Sequence, residues 1–497
     1  MTPRTEAPNP LDTIVNPASI AFFGASNRFT AMGTNQLSSL KDLGFTGAVY
    51  PIHPREKEVL GYRAFRSVTD LPEVPDLAIL VLPTDAVIPV LEACAQKGVR
   101  HAIVVSGGFK EVGQRGIDLE DRLKAVAGRY GIRFLGPNCL GVVNPHHRFN
   151  PTFMPFEGRP GFIGLVSQSG SYTTQIFRYL DERGLGFSTA ISVGNEADID
   201  LVDGLAYLAE CPHTRVIGLY VETIRRGRRF IETARSICPH KPIVAFYVGG
   251  SEAGRKASFS HTGAMAGSDR LYDGVFRQSG VVRARSMVEL FDFCTVLAMC
   301  PQAPGRRVAI QTHSGGPGAS AADACGRESL MLSDFSDQTL RSMRAFVPHT
   351  GSLSNPVDLT FSKNIMEFFD SIPDLLLADP NVDGLLIYLL LSQRSMKPVL
   401  SQMGVAAEDI EQQAEQITAH VAQALSVLPQ RHAKPVIGFS YRSDAHSLLK
   451  SLRDAGIPVL PSPESAARAM GALAKYRELT DKLARSTAVA HPGPRSG

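Results

Sequence analysis

His261 stands in Ser-Phe-Ser-His-Thr-Gly-Ala-Met-Ala-Gly-Ser, residues 258–268, among Ser, Thr, Gly and Ala with few bulky side chains to bury it. Such neighbours leave room for a bulky substituent on the imidazole. A neutral imidazole is a good nucleophile toward phosphorus, and the P–N bond it forms is labile enough to hand the group on. Alone, a histidine in this setting reads as a surface residue. Glu222 shifts the balance, because it closes the apolar run Val-Ile-Gly-Leu-Tyr-Val-Glu. A carboxylate at the C-terminal end of a strand can hydrogen-bond a ring N–H, fix its tautomer and support positive charge on phosphorylation. Val-Ser-Gln-Ser-Gly-Ser (166–171) supplies a third part. Ser169, Gly170 and Ser171 would present N–H groups and hydroxyls to a phosphoryl group at a helix N-terminus. Plain N-capping by serine is the simpler use of such residues, but the turn is more polar and richer in glycine than a cap needs.

Further turns have the same grammar. Gly24, Ala25 and Ser26 follow an apolar run and open Gly-Ala-Ser-Asn-Arg-Phe-Thr-Ala-Met-Gly, which lacks GxGxxG spacing but suits a phosphate-bearing ligand. Leu-Gly-Pro-Asn-Cys-Leu-Gly-Val (135–142) offers Asn138 for ligand contact. Cys139 beside it reads as a small buried residue rather than a nucleophile. Asn195, Glu196 and Asp198 in Val-Gly-Asn-Glu-Ala-Asp-Ile-Asp (193–200) lack a second ligand group at metal spacing, so loop structure and helix capping are expected, and no metal site. Thr-His-Ser-Gly-Gly-Pro-Gly (312–318) and Asn-Pro-Val-Asp-Leu-Thr (355–360) suit a backbone-lined anion pocket or a docking surface, with His313 read as structural.

These turns need elements to hold them. Short apolar runs (SIAFFG, AVYPI, DLAILVLP, HAIVVSGG, IRFLGP) alternate with helical stretches, the signature of α/β architecture with parallel sheets. The pattern restarts after the Pro-rich stretch 144–161, which reads as a linker, with FIGLVSQ, STAISVG, VIGLYVE and PIVAFYVG, and again after a second linker, PQAPGR (301–306). The expected organisation is three Rossmann- or flavodoxin-like units, 1–147, 148–303 and 304–485, followed by a disordered tail, 486–497. At roughly 100–200 residues per domain, a chain of this size suits three.

A balance of 51 Lys and Arg against 48 Asp and Glu gives no reason to expect nucleic acid or a membrane surface as partner. Seven cysteines without a CxxC pair argue against a disulfide framework and point to a cytoplasmic enzyme with reduced thiols. There is no apolar signal segment, and no run approaches the ~20 residues that cross a bilayer.

FFGAS, LGPNCLGV, VSQSG, VGNEAD, SHTGAMAG, THSGGPG and NPVDL, in this order, resemble the signatures of the nucleoside-diphosphate-forming acyl-CoA synthetases, relatives of succinyl-CoA synthetase. The resemblance spans residues 14–480. It implies a CoA-binding unit whose first loop is matched by Gly24, Ala25 and Ser26. It implies His261 as the phosphorylated residue, Glu222 as the glutamate that steadies it, and Ser169 and Gly170 at the phosphoryl-holding helix. It also implies coenzyme A as substrate, with ATP, ADP and Mg2+ on an ATP-grasp domain. No such domain is found in the chain, so the resemblance is to an α subunit, with a separate β chain in an α2β2 assembly. His313 stands where the family's glycine loop carries Asn. A dinucleotide-dependent dehydrogenase and a non-catalytic CoA sensor are the competing readings. The first leaves SHTGAMAG unexplained, and the second leaves the His261–Glu222 pair without a use.

Overall fold

The computed structural model describes residues 9–154, 158–255, 267–360, 365–390, 393–441 and 447–490. The chain forms two compact units, one of 1–181 with 185–285 and the other of 286–497 with 182–184.

The first unit holds two sheets. Strands β1 (Ser19–Phe23), β2 (Ala48–Ile52), β3 (Leu77–Leu80), β4 (His101–Val104) and β5 (Arg133–Leu135) make a five-stranded sheet in the order β2-β1-β3-β4-β5. Every pairing in it is parallel. β1 and β3 are buried at every position. Continuous apolar runs rather than alternating ones are what a parallel sheet covered on both faces requires. The helices Met32–Asp42, Thr84–Lys97 and Gln114–Tyr130 connect the strands. Residues 58–63 add a small hairpin.

The second sheet has six strands. They are β6 (Gly141–Val143), β7 (Ile163–Ser167), β8 (Phe187–Ser192), β9 (Val216–Val221), β10 (Ile243–Tyr247) and β11 (Val282–Ala284), in the order β11-β10-β9-β7-β8-β6. Only β6 runs antiparallel, against β8. The chain therefore enters the second sheet directly after LGPNC, ahead of the Pro-rich stretch. That stretch is more than a linker. Asn144 caps a 3-10 turn at Pro145–His147 through its side-chain oxygen, and its amide donates to Asn16 Oδ1 at 2.8 Å. Phe149 and Asn150 are wholly buried.

The second unit, described by itself, is another parallel sheet. β12 (Arg307–Thr312) pairs with β13 (Met331–Leu332), β14 (Val357–Asp358) and β15 (Gly384–Tyr388), and β15 leads to β16 (Val436–Phe439) and β17 (Val459–Leu460). Asn355 acts as a rung of the ladder: Nδ2 donates to Val308 O (2.8 Å) and Ser333 O (3.2 Å), and Oδ1 accepts from Ile310 N (3.0 Å). Of the expected tail, 486–490 continue the helix Pro463–Ala490, because Thr-Ala-Val-Ala carries no helix breaker before Pro492. Residues 491–497 lie outside the described residues.

The glycine after β1 is dictated by space. Gly24 has φ +94°, and a Cβ there would lie 1.9 Å from Val81 O. Gly33, opening the next helix, packs onto the Gly24 carbonyl, with a Cβ position 2.4 Å from that oxygen. Gly24→Ala is expected to lower unfolding stability by roughly 2 kcal/mol or more, since it combines a left-handed backbone with a backbone clash. Urea denaturation of the purified variant measures this, and a midpoint equal to wild type would contradict the packing.

Candidate active site

Both sheets of the first unit send their chemistry to the C-terminal ends of strands, where open α/β sheets build sites. β1 ends in Gly24-Ala25-Ser26, and Ser26 is stapled to the buried Thr34 of the following helix by Ser26 N to Thr34 Oγ1 (3.0 Å) and Thr34 Oγ1 to Ser26 O (2.9 Å). β5 runs into Pro137-Asn138, with Asn138 in the left-handed region at φ +57°. β7 ends in Gln168-Ser169-Gly170-Ser171, β8 in Gly194-Asn195, and β9 in Glu222.

A cavity of about 310 Å³ collects these ends. Asn138, Gln168, Ser169, Gly170, Ser171 and Asn195 form its polar lining, and Met32, Val105, Cys139, Leu140 and Phe153 its apolar lining. Asn138 and the Ser169–Ser171 turn, singled out separately in the sequence, thus meet at one space. Gly170 has to lack a side chain, since a Cβ would sit 2.8 Å from Leu140 Cγ. Ser169 is the N-cap residue of the helix Gly170–Gln175, yet its hydroxyl makes no capping bond; it lies 3.3 Å from Ser171 Oγ. The simpler explanation of this serine, ordinary capping, is therefore not what the hydroxyl does. Gly24, Ala25 and Ser26 do not line the cavity, but Met32 at the end of the same turn does.

Glu222 is buried, and its strand end is gripped by Gln168. Gln168 Oε1 accepts from Glu222 N (2.6 Å) and Thr223 N (3.0 Å), while Nε2 donates to Thr223 O (2.8 Å). His261 lies outside the described residues.

The 193–200 loop forms the seam between the two sheets. Asn195 N donates to Pro137 O, Ala197 N to Gly136 O and Ile199 N to Phe134 O, at 2.9, 3.0 and 3.2 Å. Asp198 accepts from Phe134 N (2.8 Å) and pairs with Arg133 (2.9 Å). Asp200 caps the helix Leu201–Glu210 through a capping box. Loop structure and capping are thus the roles of these acids, and no group of three or more His, Cys, Asp or Glu side chains among the described residues is placed to hold a metal. Asn195 is the junction. Its Oδ1 accepts from Asn138 Nδ2 (3.3 Å), and its Nδ2 donates to Glu111 Oε2 (2.6 Å) and Glu120 Oε2 (3.0 Å). Its carbonyl accepts from Lys110 and from Arg225 Nη2.

Burial sets the titration of this cluster. It lifts Glu120 to about 7 against the opposing hydrogen bond from Asn195, and Glu196 to about 8 against bonds from Gln168 and Leu201 N. Burial also pushes the Cys139 thiol up to about 12, and its Sγ lies 3.5 Å from Val104 O, so it is a packing residue. In the second unit His313 stacks on Phe368 with centroids 3.5 Å apart, and burial lowers it to about 4.

Sequence reasoning missed the role of Gln168, which sits in plain view inside VSQSG, and those of Arg225, Glu111 and Glu120. Each acts on a residue far away in the chain, so spacing carries no signal of it.

Three family models match: a CoA binding domain over 18–145, a succinyl-CoA ligase like flavodoxin domain over 160–297, and a ligase-CoA domain over 308–429. The α subunit of acetate–CoA ligase [ADP-forming] II of Pyrococcus furiosus is 36% identical over 465 residues, 93% of this chain and 97% of that protein. Acetate–CoA ligase [ADP-forming] I of Archaeoglobus fulgidus is 36% identical over 472 residues, 95% of this chain but 64% of that protein. Among solved structures, the apo form of the dinucleotide forming acetyl-coenzyme A synthetase 1 of Ca. Korarchaeum cryptofilum superposes with a TM-score of 0.82 at 31% identity, covering 96% of this chain and 99% of that one.

Glu120 yields a pH prediction. Its carboxyl holds its proton in the fold up to about 7 and releases it near 4.5 when unfolded. Its contribution to stability is therefore complete below about 4.5 and is lost as pH rises through about 7. Glu120→Gln keeps an acceptor for Asn195 and removes the titration. Relative to wild type, the variant should gain on the order of 2 kcal/mol between pH 5 and pH 8 in urea denaturation. A difference that stays constant with pH would contradict the burial argument.

Proposed function

The chain belongs to the ADP-forming acyl-CoA synthetase family, acid–thiol ligases, and from that premise we propose how its own residues divide the reaction. It binds coenzyme A at the first sheet through Gly24, Ala25, Ser26 and Asn138. It carries a phosphoryl group on His261, steadied by Glu222 and cradled by Ser169, Gly170 and Ser171. The single observation that carries this reading is the shared cavity: Asn138 from the unit matched as CoA-binding and Ser169–Ser171 from the unit matched as succinyl-CoA ligase-like line one space.

The difficulty to be overcome is that a carboxylate is a poor electrophile. A carboxylate oxygen of the acid attacks phosphorus, the P–N bond breaks, and its electron pair returns to the His261 imidazole, leaving an acyl phosphate. The thiol of CoA then attacks the carbonyl carbon. The C–O bond to phosphate breaks, and inorganic phosphate leaves with the thiol proton. Two modest barriers replace one high one. Ser169 and Ser171 hydroxyls with the adjoining backbone N–H groups hold the phosphoryl oxygens in both steps. The overall reaction is acid + CoA + ATP = acyl-CoA + ADP + phosphate.

ATP and Mg2+ would be held by a separate ATP-grasp β subunit, in an α2β2 assembly. The α-subunit relatives of Pyrococcus furiosus, each matched over 97% of its length, support that division. The three units of the sequence reading correspond to CoA binding, phosphohistidine and a second ligase-type unit. Free cysteines throughout the described residues suit the reducing cytoplasm, and no helix among those residues is long and apolar enough to cross a membrane. The relatives are ligases and synthases, which favours neither the dehydrogenase nor the sensor reading.

Running the reaction backwards tests this without the nucleotide. The chain, incubated with radiolabelled phosphate and a panel of acyl-CoAs, should acquire acid-labile, base-stable label with one or more of them. The label should vanish in His261→Ala, and Ser169→Ala with Ser171→Ala should slow it about 10-fold to 100-fold. If no label forms with any acyl-CoA, even beside the ATP-grasp partner, while CoA still binds, the chain is a CoA-binding protein without turnover.

A further inference from the structure

The proposed reaction gives Asn195 no contact with a substrate, yet its amide is specified atom by atom. Nδ2 donates to Glu111 Oε2 (2.6 Å) and to Oε2 of the buried Glu120 (3.0 Å), so both of its hydrogens are used. Glu111 is itself fixed, because its Oε1 accepts from Gly108 N (2.6 Å) and Phe109 N (3.2 Å). Turned over, Asn195 would set oxygen against oxygen at Glu111. Its Oδ1 therefore has to face the other way, and there it accepts from Asn138 Nδ2 at 3.3 Å.

That bond decides which end of its amide Asn138 shows to the cavity. The Asn138 side chain makes no other hydrogen bond among the described residues. Its main chain is held separately, N donating to Ser106 O at 2.9 Å. With Nδ2 engaged, Oδ1 is left as the open acceptor. It lies beside Gly107 in the cavity lining, where a Cβ would come 3.4 Å from it. A carbonyl oxygen left open at a cavity wall selects a ligand group that donates a hydrogen.

The part of CoA that has to enter this space is the thiol end of the pantetheine arm, since the sulfur must reach an acyl phosphate formed at the Ser169–Ser171 turn. The neutral donor nearest that sulfur is an amide N–H, two methylene groups away. We infer that Asn195 is a positioning residue for CoA: backed by Glu111 and Glu120, it holds the Asn138 carbonyl toward the cavity, where that oxygen accepts from the pantetheine amide N–H nearest the thiol. This rests on the function proposed above, which assigns Asn138 to CoA.

The test is calorimetric titration of the full chain with CoA, with desulfo-CoA, which lacks the sulfur, and with 3′-phospho-ADP, which lacks the arm. Asn195→Leu should weaken CoA and desulfo-CoA alike, about fivefold or more, and leave 3′-phospho-ADP within twofold. Asn195→Asp should do the same, because it sets a carboxylate against Glu111. Adding Glu111→Gln to Asn195→Asp puts an N–H donor opposite the new carboxylate and keeps the acceptor for Asn138. This double variant should bring the Kd for CoA back to within about threefold of wild type. If Asn195→Leu does not fold, the loss in Asn195→Asp and its rescue decide. Wild-type CoA affinity in Asn195→Leu, or equal weakening of 3′-phospho-ADP, would overturn the inference while the function stands. So would a double variant no better than Asn195→Asp, or a loss that spares desulfo-CoA and so marks the thiol as the donor. A wild-type chain that binds no CoA would remove the function, and this inference with it.

Discussion

The contact on which the rest of the first unit depends is main chain on main chain. Three alternate N–H groups of the 193–200 loop, at Asn195, Ala197 and Ile199, bond the carbonyls of Pro137, Gly136 and Phe134. The loop that leaves β8 thus lies along the segment that leaves β5. Gly194 permits the approach, because a Cβ there would be 2.5 Å from both the Pro137 and Asn138 oxygens. Backbone amides buried at such a seam must find partners, which makes the register strict. Once it is set, Asn138 and Asn195 face each other and the Ser169 turn comes to the same cavity.

Around this seam the polar groups are used nearly to capacity. Asn195 alone engages two carboxyls, one amide and two cationic side chains. A buried network of this kind is costly when half satisfied and rigid when complete. Rigidity is what a site must have if it is to hold a phosphoryl group at one fixed point while two successive reactions use it. Burial keeps Cys94, Cys139, Cys238 and Cys325 up near 12, far from thiolate chemistry.

Much of this could be read from the chain itself, for a physical reason. SIAFFG holds the strand Ser19–Phe23, buried at every position, because a strand covered on both faces leaves an unbroken apolar run. The Ser169–Ser171 turn and Asn138 were visible because glycine and small polar residues at strand ends leave a local trace. Gly141–Val143 left none. Three residues have no period, and their partner in β8 stands far along the chain. The same holds for Gln168 and Glu222, whose relation exists only once β7 and β9 lie side by side. The expected linker 144–161 misled through its prolines, which there accompany the buried anchors Asn144, Phe149 and Asn150.

β6 carries an implication for how such proteins are assembled in evolution. The chain crosses into the second sheet before the matched CoA-binding segment ends at residue 145, so Gly141–Val143 is counted with one module and built into the other. Separation at that border would strip β8 of its antiparallel neighbour and leave a raw sheet edge, a known invitation to aggregation. Cutting the chain between the two modules therefore exposes that edge unless Gly141–Val143 stays with the second sheet. A lineage that shuffles them has to cut ahead of Gly141, or replace the missing strand with one of its own.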